Sequence, residues 1–193
     1  MITLCIATNN EHKLKEVKAM LPDGYKLLSL KDIGCDIELP EEQTTIRGNA
    51  QQKASYVKVH FGVDCFADDT GLEVEALNGA PGVYSARYAG PEADDQENCK
   101  KLIQELTGEE NRKARFRTVI CLFRENEVHY FEGIVDGTIT EEGIGVQGFG
   151  YDPIFIPDGY NQTFAQMSEQ QKNQISHRGR AVRKLVDFLH QGA

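Results

Sequence analysis

No apolar run in this chain exceeds the five residues from Val119 to Phe123, which leaves no segment able to span a membrane. A C-x-x-C pair is missing too. The cysteines, Cys5, Cys35, Cys65, Cys99 and Cys121, are odd in number and widely spaced. Four of them sit among apolar neighbours, the pattern of small core residues in a reduced protein rather than of a disulfide framework. Nothing beside them suits a catalytic thiol. Basic residues are scarce: 21 Lys and Arg against 30 Asp and Glu leave a formal charge of −9. That balance argues against a broad face for duplex nucleic acid or an anionic membrane. The opening Met1-Ile-Thr-Leu-Cys-Ile-Ala-Thr carries neither a basic leader nor a full signal-peptide core, so it reads as a first strand and the expected location is cytoplasmic. Without a secretory signal, the sequon Asn161-Gln162-Thr163 means nothing.

What is present is enough apolar material, 40% of 193 residues, for one domain over residues 1–193 with a real core. Strand and helix signals alternate. Ile2 to Thr8 predicts a strand, and Asn9-Asn10 a helix cap. Leu14, Val17, Met20 and Leu21 follow at helical spacing, stopped by Pro22 to Gly24. After an irregular stretch to about Glu42, Thr44 or Thr45 caps a helix with Ile46, Ala50, Ala54 and Val57 on one face, ended by Gly62. Cys65 to Ala67 reads as a brief strand running into Asp68-Asp69-Thr70-Gly71, Pro81 to Tyr88 as a short helix, and Asp94 to Leu106 as a better one. Alternation from Ala114 to Leu122 and again from Val128 to Ile139, split by Glu125-Asn126, predicts an antiparallel hairpin. Ile154 to Ile156 reads as a strand, Ser168 and Gln171 as a capping box, and Ser176 to His190 as a last helix. An α/β domain with a mixed sheet follows.

Two nucleotide signatures can be set aside. A Walker A motif is absent, and Gly143-Ile-Gly145-Val-Gln-Gly148 matches G-x-G-x-x-G but runs into Phe149, Tyr151 and Pro153 instead of a helix. The stronger signal is Asp68-Asp69. Adjacent carboxylates after an apolar strand repel unless a cation or donors compensate, and Mg²⁺ prefers such oxygens; a solvated turn is the bland reading. Lys13, in the first turn of the first helix after Thr8-Asn9-Asn10-Glu11-His12, is disfavoured by the helix dipole unless an anion lies there. Ser176-His177-Arg178-Gly179 repeats the anomaly at the last helix. Asn49 and Lys53 lie one turn apart on the second helix, off its apolar stripe, and read equally as surface. Three cationic anomalies beside a carboxylate pair, in an acidic chain, point to one anionic, metal-chelated ligand.

These segments resemble the inosine triphosphate pyrophosphatase family of XTP/dITP diphosphatases. The matches are Ala-Thr-Asn-Asn-Glu-His-Lys (7–13), Gly-Asn-Ala-Gln-Gln-Lys (48–53), Phe-Ala-Asp-Asp-Thr-Gly-Leu-Glu-Val (66–74), Gly-Ala-Pro-Gly-Val-Tyr-Ser-Ala-Arg-Tyr (79–88), Gly-Phe-Gly-Tyr-Asp-Pro-Ile-Phe (148–155) and Ser-His-Arg-Gly (176–179). The resemblance implies an elongated mixed β-sheet flanked by helices, in two lobes with a central active-site cleft, usually as a homodimer. It implies Mg²⁺-dependent hydrolysis of non-canonical purine nucleoside triphosphates (ITP, dITP, XTP) to the monophosphate and pyrophosphate. By the same resemblance Asp69 is the base that activates water, and Glu41 and Asp69 hold the metal. Lys13 and Lys53 bind phosphates, Thr8, Asn9, Asn10, Glu11, His12 and Thr70 contact substrate, and Phe149, Gly150, Tyr151, Asp152, Lys172, His177 and Arg178 form the nucleobase pocket. Members of that family often have glycine two positions beyond the metal-binding glutamate, whereas this chain reads Glu41-Glu42-Gln43, so Glu42 competes with Glu41 for the metal.

The chemistry is coherent with those roles. Attack at the α-phosphorus needs charge neutralised on three phosphates, and an ionised Asp69 can orient and deprotonate water. A 6-oxo purine offers a carbonyl acceptor and a ring N–H donor where adenine offers the reverse, so Arg178 as donor and Asp152 as acceptor would discriminate. Two other classes fit parts of the pattern: an aspartyl-phosphate phosphatase, which needs a second Asp where Thr70 stands, and a nucleotide sensor without turnover.

Overall fold

The computed structural model describes residues 2–21, 23–91 and 94–191. Its sheet has seven strands and is mixed, with five α-helices. In chain order these are β1 (Ile2–Ile6), α1 (Glu11–Met20), β2 (Tyr25–Leu28), α2 (Ile46–Phe61), β3 (Cys65–Val74), β4 (Pro81–Gly82), α3 (Asp95–Glu105), β5 (Lys113–Arg124), β6 (Glu127–Ile139), β7 (Phe155–Pro157), α4 (Glu169–Ile175) and α5 (His177–Gln191). The strand order is β2-β1-β3-β5-β6-β7, with β4 paired to β3. β1 runs parallel to β2 and to β3, whereas β4 and β7 pair antiparallel with β3 and β6. Among the described residues no helix is long and apolar enough to cross a membrane.

The chain packs as two compact units: unit 1 is Met1–Asp69, Thr118–Gly133 and Arg178–Ala193, and unit 2 is Thr70–Arg117 and Ile134–His177. Strand alternation explains the core of unit 1. Cys5, Ala7, Cys65, Ala67 and Cys121 face one way and meet Ala50, Ala54 and Val57 of α2, small residues that let the helix lie close to the strands. Leu4, Ile6, Phe66, Ile120 and Leu122 face the other way and bury Val17 of α1 and Val182, Leu185 and Leu189 of α5. Burial pushes the thiols of Cys5, Cys65 and Cys121 up to about 12, in keeping with packing rather than reactive cysteines. Unit 2 has a single core, in which Leu102 and Leu106 of α3 join Leu72, Val74, Phe116, Phe155 and Phe164.

Most cap and hairpin signals hold. Asn10 accepts from Lys13 N–H at 3.1 Å, Thr45 accepts from Gly48 N–H at 3.0 Å, and Gly62 closes α2 in the left-handed region. The hairpin turns on Glu125 and Asn126 at φ 51° and 69°. Three expectations fail. The stretch read as irregular contains β2, whose Tyr-Lys-Leu-Leu shows no alternation, yet it pairs in register from Ile2–Tyr25 to Cys5–Leu28. The strand read as brief, Cys65 to Ala67, runs on through Asp68 to Gly71 as the ten-residue β3. Its carboxylates stay in the strand because they meet buried cations instead of water. Residues 81–88 form β4 and a 3-10 turn rather than a helix. The next element after Gly148 is a 3-10 turn at Asp152–Ile154, not the α-helix that a dinucleotide motif needs. Pro22, read as part of a helix stop, lies outside the described residues.

Candidate active site

Unit 1 gathers its charges beyond the carboxyl end of β1 and in the middle of β3. Asp68 and Asp69, 1% and 7% exposed, are the fourth and fifth residues of β3. α1 brings Lys13, whose Nζ lies 3.2 Å from Asp68 Oδ2 and donates to the Asp68 carbonyl at 3.5 Å. α5 brings Arg178, whose Nε donates to Asp68 Oδ2 at 3.1 Å and whose Nη1 pairs with Glu16 of α1. α2 brings Lys53, paired with Glu41 and 3.8 Å from Asp69 Oδ1. The helix-start lysine is thus matched by a carboxylate from β3, not left to water.

Desolvation and charge pull the two aspartates apart. Burial works to raise Asp68, but Lys13, Arg178 and Lys53, with the Arg178 hydrogen bond, hold it well below the usual carboxylate range. Burial also raises Asp69, and there it outweighs Lys53 and Lys13, helped by the nearby Glu41 and Asp68 charges. Burial lowers Lys13, which Asp68 offsets only in part. On Lys53 burial is overcome by Asp69, Glu41 and Asp68, so its pKa rises. One aspartate is therefore locked as an anion and its neighbour is made more basic, a division suited to a positioned base. Asp69 Oδ2 is buried and has no hydrogen-bond partner, so it is left for an incoming proton donor or cation.

Glu41 and Asp69 share the Lys53 ammonium, so two oxygen donors already converge on one positive charge. That donor set, with the bare Asp69 oxygen, fits a hard cation such as Mg²⁺. Among the described residues no three His, Cys, Asp or Glu side chains form a complete cage, so substrate oxygens and water would supply the remaining ligands. Glu42 turns elsewhere: Gln52 Nε2 donates to it at 3.3 Å. The loop before α1 is tied by Asn10 N–H to Thr8 Oγ1 at 3.1 Å and Asn9 Nδ2 to the Ile37 carbonyl at 3.1 Å. Glu11 and His12 stand exposed in the first turn of α1.

Unit 2 holds a different cluster. Lys172 Nζ donates to Asp152 Oδ2 at 2.7 Å, both side chains being buried. The same oxygen accepts Phe149 N–H at 2.9 Å, and Lys172 Nζ lies 4.8 Å from the centre of the Phe149 ring. Gly150 N–H donates to Asp95 at 2.6 Å, and the Tyr151 hydroxyl to the Ser85 carbonyl at 2.8 Å. Gly148, at φ +77°, is obligatory in space as well as backbone, because a Cβ there would run into the Asp152 carboxylate. His177 stacks on Phe116 with centroids 4.4 Å apart and planes 17° from parallel. Thr70 follows Asp69 on β3 as the first residue of unit 2.

Residues 4–188 match the Ham1 family. The chain belongs to the Ham1 family. It is 57% identical over 186 residues to a dITP/XTP pyrophosphatase of Flavobacterium psychrophilum, covering 96% of this chain and 98% of that one. Two Ham1 proteins of known structure superpose on it. The Coxiella burnetii protein has a TM-score of 0.92 at 36% identity, covering 99% of this chain and 100% of its own. The Staphylococcus aureus protein has a TM-score of 0.90 at 39% identity with the same coverage. For this Ham1 chain the sequence reading places Arg178 with the base-facing residues. In the structure its guanidinium pairs with Asp68 and Glu16. Glu16 and Asp95, which the sequence did not single out, join these clusters through Arg178 and Gly150. For Glu16 the signal was its place three residues after Lys13, one turn along the same helix face.

Proposed function

We propose that this chain hydrolyses the α–β anhydride of dITP, XTP and ITP, releasing pyrophosphate and the nucleoside monophosphate, as a cytoplasmic homodimer acting on the nucleotide pool. The observation that carries the reading is the buried carboxylate pair of β3, with Asp68 saturated by cations and Asp69 presenting an unpartnered, more basic oxygen. The name of the Flavobacterium psychrophilum relative supports the same substrates.

Asp69 orients a water molecule and takes its proton as the water oxygen attacks the α-phosphorus; the α–β bond breaks and pyrophosphate departs. Lys13 and Lys53 donate to phosphate oxygens and offset the charge that grows on the leaving group. Glu41 and Asp69 would hold Mg²⁺, which when bound neutralises phosphate charge and aligns the chain. In unit 2 the Phe149 ring offers a stacking face to a purine. Lys172 and Asp152 form a donor–acceptor pair complementary to the carbonyl and ring N–H of a 6-oxo purine. Adenine would set donor against donor and acceptor against acceptor, the kind of mismatch that discriminates most strongly.

Phosphorus NMR of ITP or XTP incubated with the protein and Mg²⁺ tests the reading. Pyrophosphate and monophosphate are expected. Stepwise release of orthophosphate would indicate an aspartyl-phosphate-type phosphatase, and no turnover a sensor; either result overturns it.

A further inference from the structure

We propose that Asn49 is a ligand of the substrate's phosphate chain, donating through Nδ2 to a phosphate oxygen, while its Oδ1 fixes the segment that carries Glu41. The inference rests on the nucleotide-hydrolase reading above. Three consecutive residues are tied to α2. Glu41 pairs with Lys53, Glu42 N–H donates to Gln52 Oε1 at 2.9 Å, and Gln43 N–H donates to Asn49 Oδ1 at 2.9 Å. Gly48 permits this close approach, since a Cβ there would stand 2.8 Å from Gln43 Cβ and 2.9 Å from Thr45 Oγ1. Only the oxygen of a carboxamide accepts from a backbone N–H, so the Gln43 bond settles which end of the Asn49 amide is nitrogen.

That nitrogen is buried without a hydrogen-bond partner, in a residue only 1% exposed. Leaving a buried N–H₂ unmet is costly, and an apolar residue of similar size would avoid the cost. Lys53 lies one turn further along the same face of α2, and its ammonium reaches Glu41 and Asp69. Among the described residues Asp69 Oδ2, an acceptor, is likewise buried without a hydrogen-bond partner. A bare donor on α2 and a bare acceptor beside the Lys53 ammonium suit a ligand that brings anionic oxygen and a water together. Charge-assisted N–H to phosphate bonds are the strong ones, so a phosphate oxygen is the acceptor that fits Nδ2.

The test compares wild type, Asn49→Asp and Asn49→Ala, reading melting temperature, kcat/KM for ITP, and affinity for inorganic tripolyphosphate with Mg²⁺ by calorimetry. Asn49→Asp keeps the acceptor for Gln43 N–H but turns the donor into a second acceptor. It should melt close to wild type, yet lose at least about 10-fold in tripolyphosphate affinity and in kcat/KM. A purely structural Asn49 predicts the opposite: Asn49→Asp near wild type in both, with only Asn49→Ala impaired, and that result overturns the proposal. Should Asn49→Asp not fold, the folded Asn49→Ala decides: a loss of about 10-fold in tripolyphosphate affinity supports the role, and wild-type affinity overturns it. A wild type that binds tripolyphosphate but yields no pyrophosphate from ITP or XTP ends the hydrolase reading while the Asn49 comparison stands. Wild-type turnover with unchanged affinity in both variants ends the Asn49 inference alone.

Discussion

The charged clusters of the two units are built on opposite plans. Unit 1 crowds Lys13, Lys53, Arg178, Glu16, Glu41, Asp68 and Asp69 together, so several charges bear on each aspartate and the two diverge. Unit 2 buries one lysine against one carboxylate and walls the pair with aromatic rings and backbone N–H groups. The first plan suits a ligand that brings its own multiple charges, because cations and anions there can exchange partners when it arrives. The second suits a neutral, planar ligand whose edge is read by one donor and one acceptor. On the proposed reading, unit 1 takes the phosphate chain and unit 2 the base.

The comparison breaks first at Asp69. Asp69→Asn keeps the shape of the side chain but removes the base, and kcat for ITP should fall by about 10²–10⁴-fold in steady-state assays. Near-normal turnover would mean that the basic oxygen of unit 1 is not the one that works. On unit 2 the sharpest cut is Phe149→Ala, which removes a stacking face worth roughly 1–3 kcal/mol per base. KM for ITP should rise by about 10-fold or more, and tripolyphosphate binding should not change; equal losses for both ligands would erase the division.

A smaller effect concerns acid stability. The folded pKa of Asp68 lies below its unfolded value, so its contribution is complete above the unfolded carboxylate range near 4 and is lost as pH falls through the folded value. Arg178→Ala removes one of the cations that depress it. The folded pKa then rises toward the unfolded one, and denaturant titrations from pH 6 down to 2 should show a weaker acid dependence than wild type. An unchanged pH profile would separate Arg178 from Asp68.

Where chemistry was concentrated in short stretches, the sequence was legible. Asn10 and Thr45 as caps, the Glu125-Asn126 turn and the stripe of α2 all follow from local rules, and the structure forms them. β2 was illegible because its four residues become a strand only by pairing with β1. The run of β3 through Asp68-Asp69 was illegible because the cations that let carboxylates stay in a buried strand come from Lys13, Lys53 and Arg178, distant in the chain. Lys13 and the start of α5 stood out as cations seeking an anion, and both meet the protein's own Asp68. Asn49 escaped because a polar residue one position off an apolar stripe looks like surface until its burial is seen.

The most direct test of the division between the units is kcat/KM for ITP and for ATP in Lys13→Met. Lys13 belongs to the phosphate-side cluster, and Asp68 keeps Arg178 as a partner in the variant. Losing a charged donor to phosphate costs on the order of 1.5–3 kcal/mol, so both values should fall by roughly 10–150-fold and their ratio should hold. A fall confined to ITP, with ATP unchanged, would contradict the account, because unit 1 would then be reading the base.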